Sequence, residues 1–399
     1  PVPAPPVLKA THRHTRRANE RPVLRTNSED GPLSRADVAR ATGLTRTTVS
    51  DLVERLLAER LVVEAGTGPS TGGKAPILLR VPTDARQLIG VDVDRDRLSG
   101  VVVDLRGQVC VREARDLAGR DGATALHELE SLVLSLRDAA DRPLVGVGVG
   151  TPGLIDTISG TVRWAVGLDW RDEPVGERLT GITGLPTVVV NDSQAAAMAE
   201  WAFGHHDTSG AMIVIKVGEG IGAGIVLGGR LYAGDESGAG EIGHTRVADD
   251  GGVCRCGSSG CLETVASQRA VLARARAEAE SRSGWALAGQ DVDHEALLAA
   301  FRAGDPTARA IVLESAPPLG RIVGAMIGTL GARDIVLVGP MADFGEPWLE
   351  QVRAEAERSA LPLLVARSTI HLGRTGDDVV ELGAAALLMT SELGLALAV

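Results

Sequence analysis

Two stretches of the chain repeat one theme, and that repeat constrains the fold more than any other feature. LIGVDVDRDRLSGVVVDLRGQVC (88–110) and AMIVIKVGEGIGAGIVLGGRLY (211–232) each read as strand, turn, strand, about 120 residues apart. A helical stretch (123–140) and a buried strand, LVGVGVG (144–150), follow the first, the strand being marked by continuous small and branched apolar residues. DIVLVGP (334–340) gives a third strand signal between helical stretches. Alternating strands and helices argue for α/β architecture, and two similar hairpins predict two similar lobes with a cleft between them. A chain of 399 residues exceeds one ordinary core, and 44% apolar residues exclude wholesale disorder.

The net charge of −11 hides an asymmetry. Residues 1–80 hold 13 Lys and Arg against 8 Asp and Glu, a balance of +5 that leaves −16 on the remainder. A basic head on an acidic body is the pattern of a DNA-reading module joined to something else. Only nine residues are aromatic, which argues against a base-stacking reader of single strands.

Within the head, Ser34 can cap a helix with Asp37 three residues on, and Gly43 ends that helix. Thr45 caps a second helix whose apolar stripe is Val49, Leu52, Val53, Leu56 and Leu57. This spacing predicts a helix-turn-helix, with a first helix over 19–27 starting near Pro22. LVVE (61–64) and PILLRV (76–81) read as strands around a glycine-rich wing, GTGPSTGGK (66–74). Candidate contacts to double-stranded DNA are Ser34, Arg35, Thr45, Arg46, Thr47, Thr48 and Ser50, with Lys74 on the wing. We expect a flexible arm over 1–18 and a winged helix-turn-helix domain over 19–82. The competing reading is a small helical domain that serves protein contacts.

Three of the four cysteines, Cys254, Cys256 and Cys261, fall within eight residues of GAGEIGHTRVADDGGVCRCGSSGCLE (238–263), and His244 lies ten residues before the first. One imidazole and three thiolates make a closed tetrahedral set, which points to structural Zn²⁺; three unliganded thiols are the alternative. Cys110, alone in a strand, is expected in the core. Glu241 and Glu263 bracket the metal loop, and VVVND (188–192) ends a strand on an amide and a carboxylate. Together Asn191, Asp192, Glu241, His244 and Glu263 form a hydroxyl-recognising set suited to a polyol; singly, each reads as a cap or a surface charge.

Four cysteines are too few for a disulfide-stapled secreted scaffold, and no uncharged apolar run approaches 18 residues. Three prolines in the first five residues do not fit a secretory signal. The expectation is a cytoplasmic protein with no membrane partner.

These residues carry a family likeness. The body, roughly 88–399, resembles the ROK family (repressors, open reading frames and kinases) of the sugar-kinase and actin-like superfamily. The segment from Gly234 to Glu263 matches its acidic–His and CxCGxxGC pattern, and GVGTPGLID (148–156) and NDSQAAAMAE (191–200) match two further blocks. The resemblance implies a two-lobed, hexokinase-like α/β fold behind the winged helix. Its first lobe would span 88–198 plus a C-terminal helix at about 380–399, and its second lobe, with the zinc loop, 199–379. It implies sugar contacts from Gly153, Asn191, Asp192, Glu241, His244 and Glu263, with His244 also ligating zinc. Asp192 falls where kinase members carry the general base, and here it reads as a vestige.

Kinase members carry a D-x-G-G-T turn in the first hairpin, whereas this chain reads Asp92-Val93-Asp94-Arg95-Asp96. Their GTG-like turn is Gly218-Glu219-Gly220 here, and their Gly-Gly after the third strand is Gly339-Pro340. Carboxylates and a proline where amides should cradle phosphate argue against ATP binding and against an enzyme. The implied function is a sugar-responsive repressor acting as a homodimer or homotetramer, with a monosaccharide or sugar phosphate as effector. The rivals are a glucokinase-like, ATP-dependent sugar kinase with an accessory DNA-binding head, and a regulator read through a protein partner.

Overall fold

The computed structural model describes residues 12–29, 31–69, 75–117, 122–204, 210–249 and 251–395. The head holds three helices, His12–Glu29, Arg35–Thr42 and Arg46–Ala58, and a three-stranded antiparallel sheet. Its strands run in the order Leu33–Ser34, Ile77–Arg80, Val63–Thr67. Ser34 and Asp37 form a reciprocal capping box, and Gly43 closes the helix at φ +70°. Thr45 Oγ1 accepts from the Thr48 N–H, and Val49, Leu52, Val53 and Leu56 bury the inner stripe of the next helix.

Several expectations need correction here. The first helix begins at His12, so residues 12–18 are helical rather than arm, and Pro22 lies inside that helix. Val23 and Leu24, next to the proline, are buried in the core, and that packing holds the helix together across the missing N–H. Ser34 is buried, and its hydroxyl is engaged with Asp37, so it cannot serve as a DNA contact. Residues 1–11 of the expected arm and the wing residue Lys74 lie outside the described residues.

Both lobes of the body are built on one plan. The first sheet runs Thr187–Asn191, Leu144–Thr151, Gln87–Val93, Arg97–Asp104, Val109–Asp116, and the second runs Thr369–Leu372, Asp334–Val338, Ala211–Val217, Ile221–Leu227, Arg230–Leu231. In each, an antiparallel meander is extended by two parallel strands on the far side of its first member. Cys110 is exposed, because Val109–Asp116 is an edge strand whose side chains alternate and the sulfur falls on the solvent face.

Helices Asp192–Phe203 and Val379–Leu393 lie between the sheets, the first against the second-lobe strands and the other on the first-lobe strands. Close approach needs strand residues without side chains. A Cβ on Gly148 would stand 2.3 Å from the Ala384 carbonyl oxygen, and one on Gly224 would stand 2.3 Å from the Ala197 Cβ. The two helices also meet at backbone distance, since a Cβ on Gly383 would lie 1.7 Å from the Ala195 carbonyl oxygen. The expected lobe boundary at 198/199 therefore cuts a continuous helix, and the C-terminal helix stops at Leu393, where Gly394 turns left-handed at φ +69°. Residues 396–399 of that expected helix lie outside the described residues.

One apolar core runs from Val23, Leu24 and Val53 of the head through Leu393 and Leu395 to both helices. Arg21 donates to the Ser391 carbonyl and Arg86 to the Glu59 carbonyl, so the head is bonded as well as packed onto the body. The longest apolar helical stretch, 306–330, is two helices parted near Ser315, the second packed on Glu346–Ser359. Gly383→Val should force the central helices apart and lower stability by about 1–3 kcal/mol or more. A urea midpoint equal to that of the parent chain would contradict this close packing.

Candidate functional site

The cleft between the lobes is a cavity of about 280 Å³, and it gathers residues that are far apart in sequence. Gly153, Asn191, Asp192, Glu241, His244 and Glu263 all line it. Asn191 ends a first-lobe strand and caps the helix that Asp192 begins: its Oδ1 accepts from the Ser193 and Gln194 N–H groups. Its amide donates to the Gly153 carbonyl at 3.1 Å, which leaves one amide hydrogen for the cleft. Glu263 starts a short helix beneath the Gly218–Gly220 turn and accepts from Arg269 at 3.2 Å.

Lys216 was not anticipated. It projects from the second-lobe strand Ala211–Val217, and its Nζ donates to Asp192 Oδ2 at 2.7 Å. Burial alone would pull its pKa down, but Asp192, Asp92 and Asp94 outweigh that and raise it above the ordinary lysine value. Asp92, buried in the first hairpin, is pushed well above the carboxylate range, first by burial and against the pull of Lys216. Its Oδ1 has no hydrogen-bond partner among the described residues. The available signal was a lone lysine within the apolar run AMIVIKV, a position where a charge must find partners across the cleft. Enclosure in the cleft, with Asp192 and Glu263 nearby, pushes Glu241 up to about 7.

The three positions that depart from a phosphate cradle converge on the same region. Asp94 and Arg95 line the cleft. Glu219 lies 3.4 Å from Arg255 of the cysteine loop, which also lines it. The Pro340 ring stands 3.5 Å from the point where a Cβ on Gly218 would lie.

The loop at the cleft floor brings His244, Cys254, Cys256 and Cys261 together, with one ligand atom from each inside a span of 4.8 Å. Cys254 and Cys261 are buried. His244 Nδ1 lies 3.5 Å from the Cys254 sulfur, while Nε2 is turned to Glu241 at 3.8 Å. Burial raises the Cys254 and Cys261 thiols, the latter to about 12, and a bound cation would offset that cost by stabilising the thiolates. This donor set can hold a metal ion, with His244 joining it to the cleft.

In the head, Thr45, Arg46 and Thr47 are exposed at the start of the second helix of the turn, and Arg35, Thr48 and Ser50 are half-buried beside them. The Thr45 hydroxyl also contacts Thr48 Oγ1 at 2.8 Å.

Fold and site together define a two-lobed α/β body of the sugar-kinase type, carrying a winged helix and a candidate metal loop. Residues 88–391 match the ROK family model, and the chain belongs to the ROK family. It is 30% identical to the xylose repressor of Caldicellulosiruptor bescii over 96% of this chain and 98% of that one. Its structure is similar to that of a ROK family transcriptional regulator, a homologue of the E. coli Mlc protein, with a TM-score of 0.82 at 25% identity. That match covers 96% of this chain and 98% of the other. A ROK family glucokinase from Streptomyces griseus, in complex with glucose and AMPPNP, matches with a TM-score of 0.70 at 28% identity, over 75% of this chain and 98% of its own.

Cys256→Ser removes one thiolate from the set. Metal analysis of the purified protein should find about one ion per parent chain and well under half that in the variant; equal metal content would remove Cys256 from the ligand set.

Proposed function

We propose that this chain is a sugar-responsive transcriptional repressor. Its winged helix holds a double-stranded DNA operator, and its cleft takes a monosaccharide or sugar phosphate that changes operator affinity. One observation carries this reading: a DNA-reading head and a cleft ringed by Asn191, Asp192, Glu241, His244 and Glu263 share a single apolar core. The xylose repressor of Caldicellulosiruptor bescii and the ROK family transcriptional regulator each match over 96% of the chain, head included.

In the cleft, the Asp192, Glu241 and Glu263 carboxylates accept from sugar hydroxyls, while Asn191 and the Nε2 side of His244 complete the polar rim and Gly153 gives backbone. A sugar lacking one of these hydroxyls leaves a buried polar group unpaired, and that sets selectivity. The metal is zinc in this reading. A tetrahedron with Zn–S bonds of about 2.3 Å and a Zn–N bond of about 2.0 Å has S···S edges of about 3.8 Å and S···N edges of about 3.5 Å. The Cys256–Cys261 sulfurs lie 3.8 Å apart, and Cys254 Sγ lies 3.5 Å from His244 Nδ1. Zinc supplies a fixed point for the loop, and through it His244 and Glu241 hold their places at the cleft.

The chain does not transfer phosphate. Asp192, the position of a kinase base, is ion-paired to Lys216. The Glu219 carboxylate and the Pro340 ring occupy ground where amide donors would meet nucleotide phosphates. A homodimer or homotetramer presents two heads to a pseudo-palindromic site, and the effector acts by closing the lobes about the central helices. Moving such a switch from 99:1 to 1:99 takes about 5.5 kcal/mol of differential binding.

A gel shift on the chain's own upstream region, titrated with sugars and sugar phosphates, should show one that changes complex formation, and Asp192→Asn should blunt that response. Retention of the full response by the variant would exclude Asp192 from the effector site, and Asp192-dependent phosphorylation of a hexose by ATP would make the chain a kinase. Arg46→Ala should weaken operator binding by about 1–3 kcal/mol, the loss of one guanine contact; unchanged affinity removes Arg46 from the contact set.

A further inference from the structure

A small antiparallel sheet, made of Leu154–Asp156, Thr161–Ala165 and Trp170–Glu173, forms one side of the cleft. Its two tryptophans are placed in opposite ways. Trp170 is 3% exposed and donates its Nε1–H to the Gly122 carbonyl at 2.8 Å. Trp164 lines the cavity and is 43% exposed. With Leu154 and Val166 it gives the cleft an apolar wall, whereas Asp192, Glu241, His244 and Glu263 supply polar groups.

The backbone behind Trp164 is held in place. It pairs with Leu154 on one side and Arg171 on the other. Its carbonyl oxygen stands 2.2 Å from where a Cβ on Gly153 would lie, and Gly153 has φ +104°, so only glycine leaves room for the strand. Asn191 fixes the same glycine through its carbonyl. Arg163 ties the two flanking strands through Asp156 at 3.0 Å and Asp172 at 3.1 Å. The indole is therefore presented by a braced strand and not by a free loop.

A cavity with one aromatic wall and an opposed polar rim fits a ligand that is itself two-faced. A pyranose has that shape: hydroxyls around its edge, C–H bonds on its ring faces. An open-chain polyol bears the same hydroxyls but has no rigid apolar face. An aromatic side chain with one apolar face and a wet rim suits such a partner. We infer that Trp164 is the stacking platform for the effector's ring and that it makes the cleft select closed aldopyranoses over open-chain polyols. This rests on the sugar-binding reading above and names the ring form as the ligand class.

The test uses the full chain loaded with zinc, and calorimetry with D-xylose, D-glucose, D-galactose and N-acetyl-D-glucosamine, each beside its phosphate and its open-chain alditol. For the pyranose that binds, Trp164→Ala should lose about tenfold or more in affinity, with the pyranose-to-alditol ratio collapsing, while Trp164→Phe should keep most of both. Tryptophan emission should respond to that sugar in the parent chain and lose most of the response in Trp164→Phe. Unchanged melting temperature and metal content in the variants separate a lost platform from a lost fold. Equal pyranose affinity in parent and Trp164→Ala would overturn the platform and leave the sugar reading standing. A variant that loses pyranose and alditol binding alike would also overturn the selection. If neither the four pyranoses nor their phosphates bind the parent chain, the sugar reading and the platform both fall.

Discussion

The rest of the molecule depends on the contact between two helices, Asp192–Phe203 and Val379–Leu393, which pack so closely that only glycine at 383 fits under the Ala195 carbonyl. Alanines at 195, 196, 197, 199, 384, 385 and 386 keep both helices slim, and strand glycines let the sheets lie close on either side. The buried Glu200 carboxylate in this layer accepts from the Arg374 and Thr375 N–H groups and from the Thr375 hydroxyl, so a charge that would otherwise be costly is fully engaged. The first helix begins at Asp192 in the cleft, and the second ends beside Arg21 of the head. Cleft and head thus meet through one packed layer, the contiguous physical medium that coupling between two sites can use.

The cleft itself is an arrangement of charge. Lys216 is set among Asp92, Asp94 and Asp192 from both lobes, and Arg255 answers Glu219 across the metal loop. Removing one partner of such an enclosed pair costs far more than the pair contributes as a whole, because the remaining charge is left without compensation. Asp94 and Glu219 add carboxylates to the same cleft, where like charge disfavours a phosphate.

Much of this was legible in the sequence wherever the signal is local. Caps at Ser34 and Thr45, the turn at Gly43, and the spacing of His244, Cys254, Cys256 and Cys261 each depend on a few neighbouring residues, and local geometry translates them directly. The doubled hairpin gave the two lobes for the same reason. What was not legible depends on distant partners. The role of Lys216 needs Asp92 brought from a strand of the other lobe and Asp192 from the start of a central helix, and the value of Trp164 needs a cleft to face. Cys110 reads as core until the edge of the sheet is known. The Ser34 hydroxyl reads from the sequence both as a cap and as a DNA contact, and in the fold it is engaged with Asp37 as the cap. A proline at 22 suggested a helix start, but the flanking residues extend the helix back to His12.

The joint between head and body is short. Six residues, 81–86, separate the last strand of the head from the first strand of the body, and Arg86 within them is bonded back to Glu59 at the end of the helix Arg46–Ala58. Such a joint gives the head almost no reach of its own, and the shared core removes what little slack remains. The helix Arg46–Ala58 consequently stands at the end of an arm whose base is the central helices. Any displacement of those helices is passed to the head, whose placement is a property of the whole body and not of a tether.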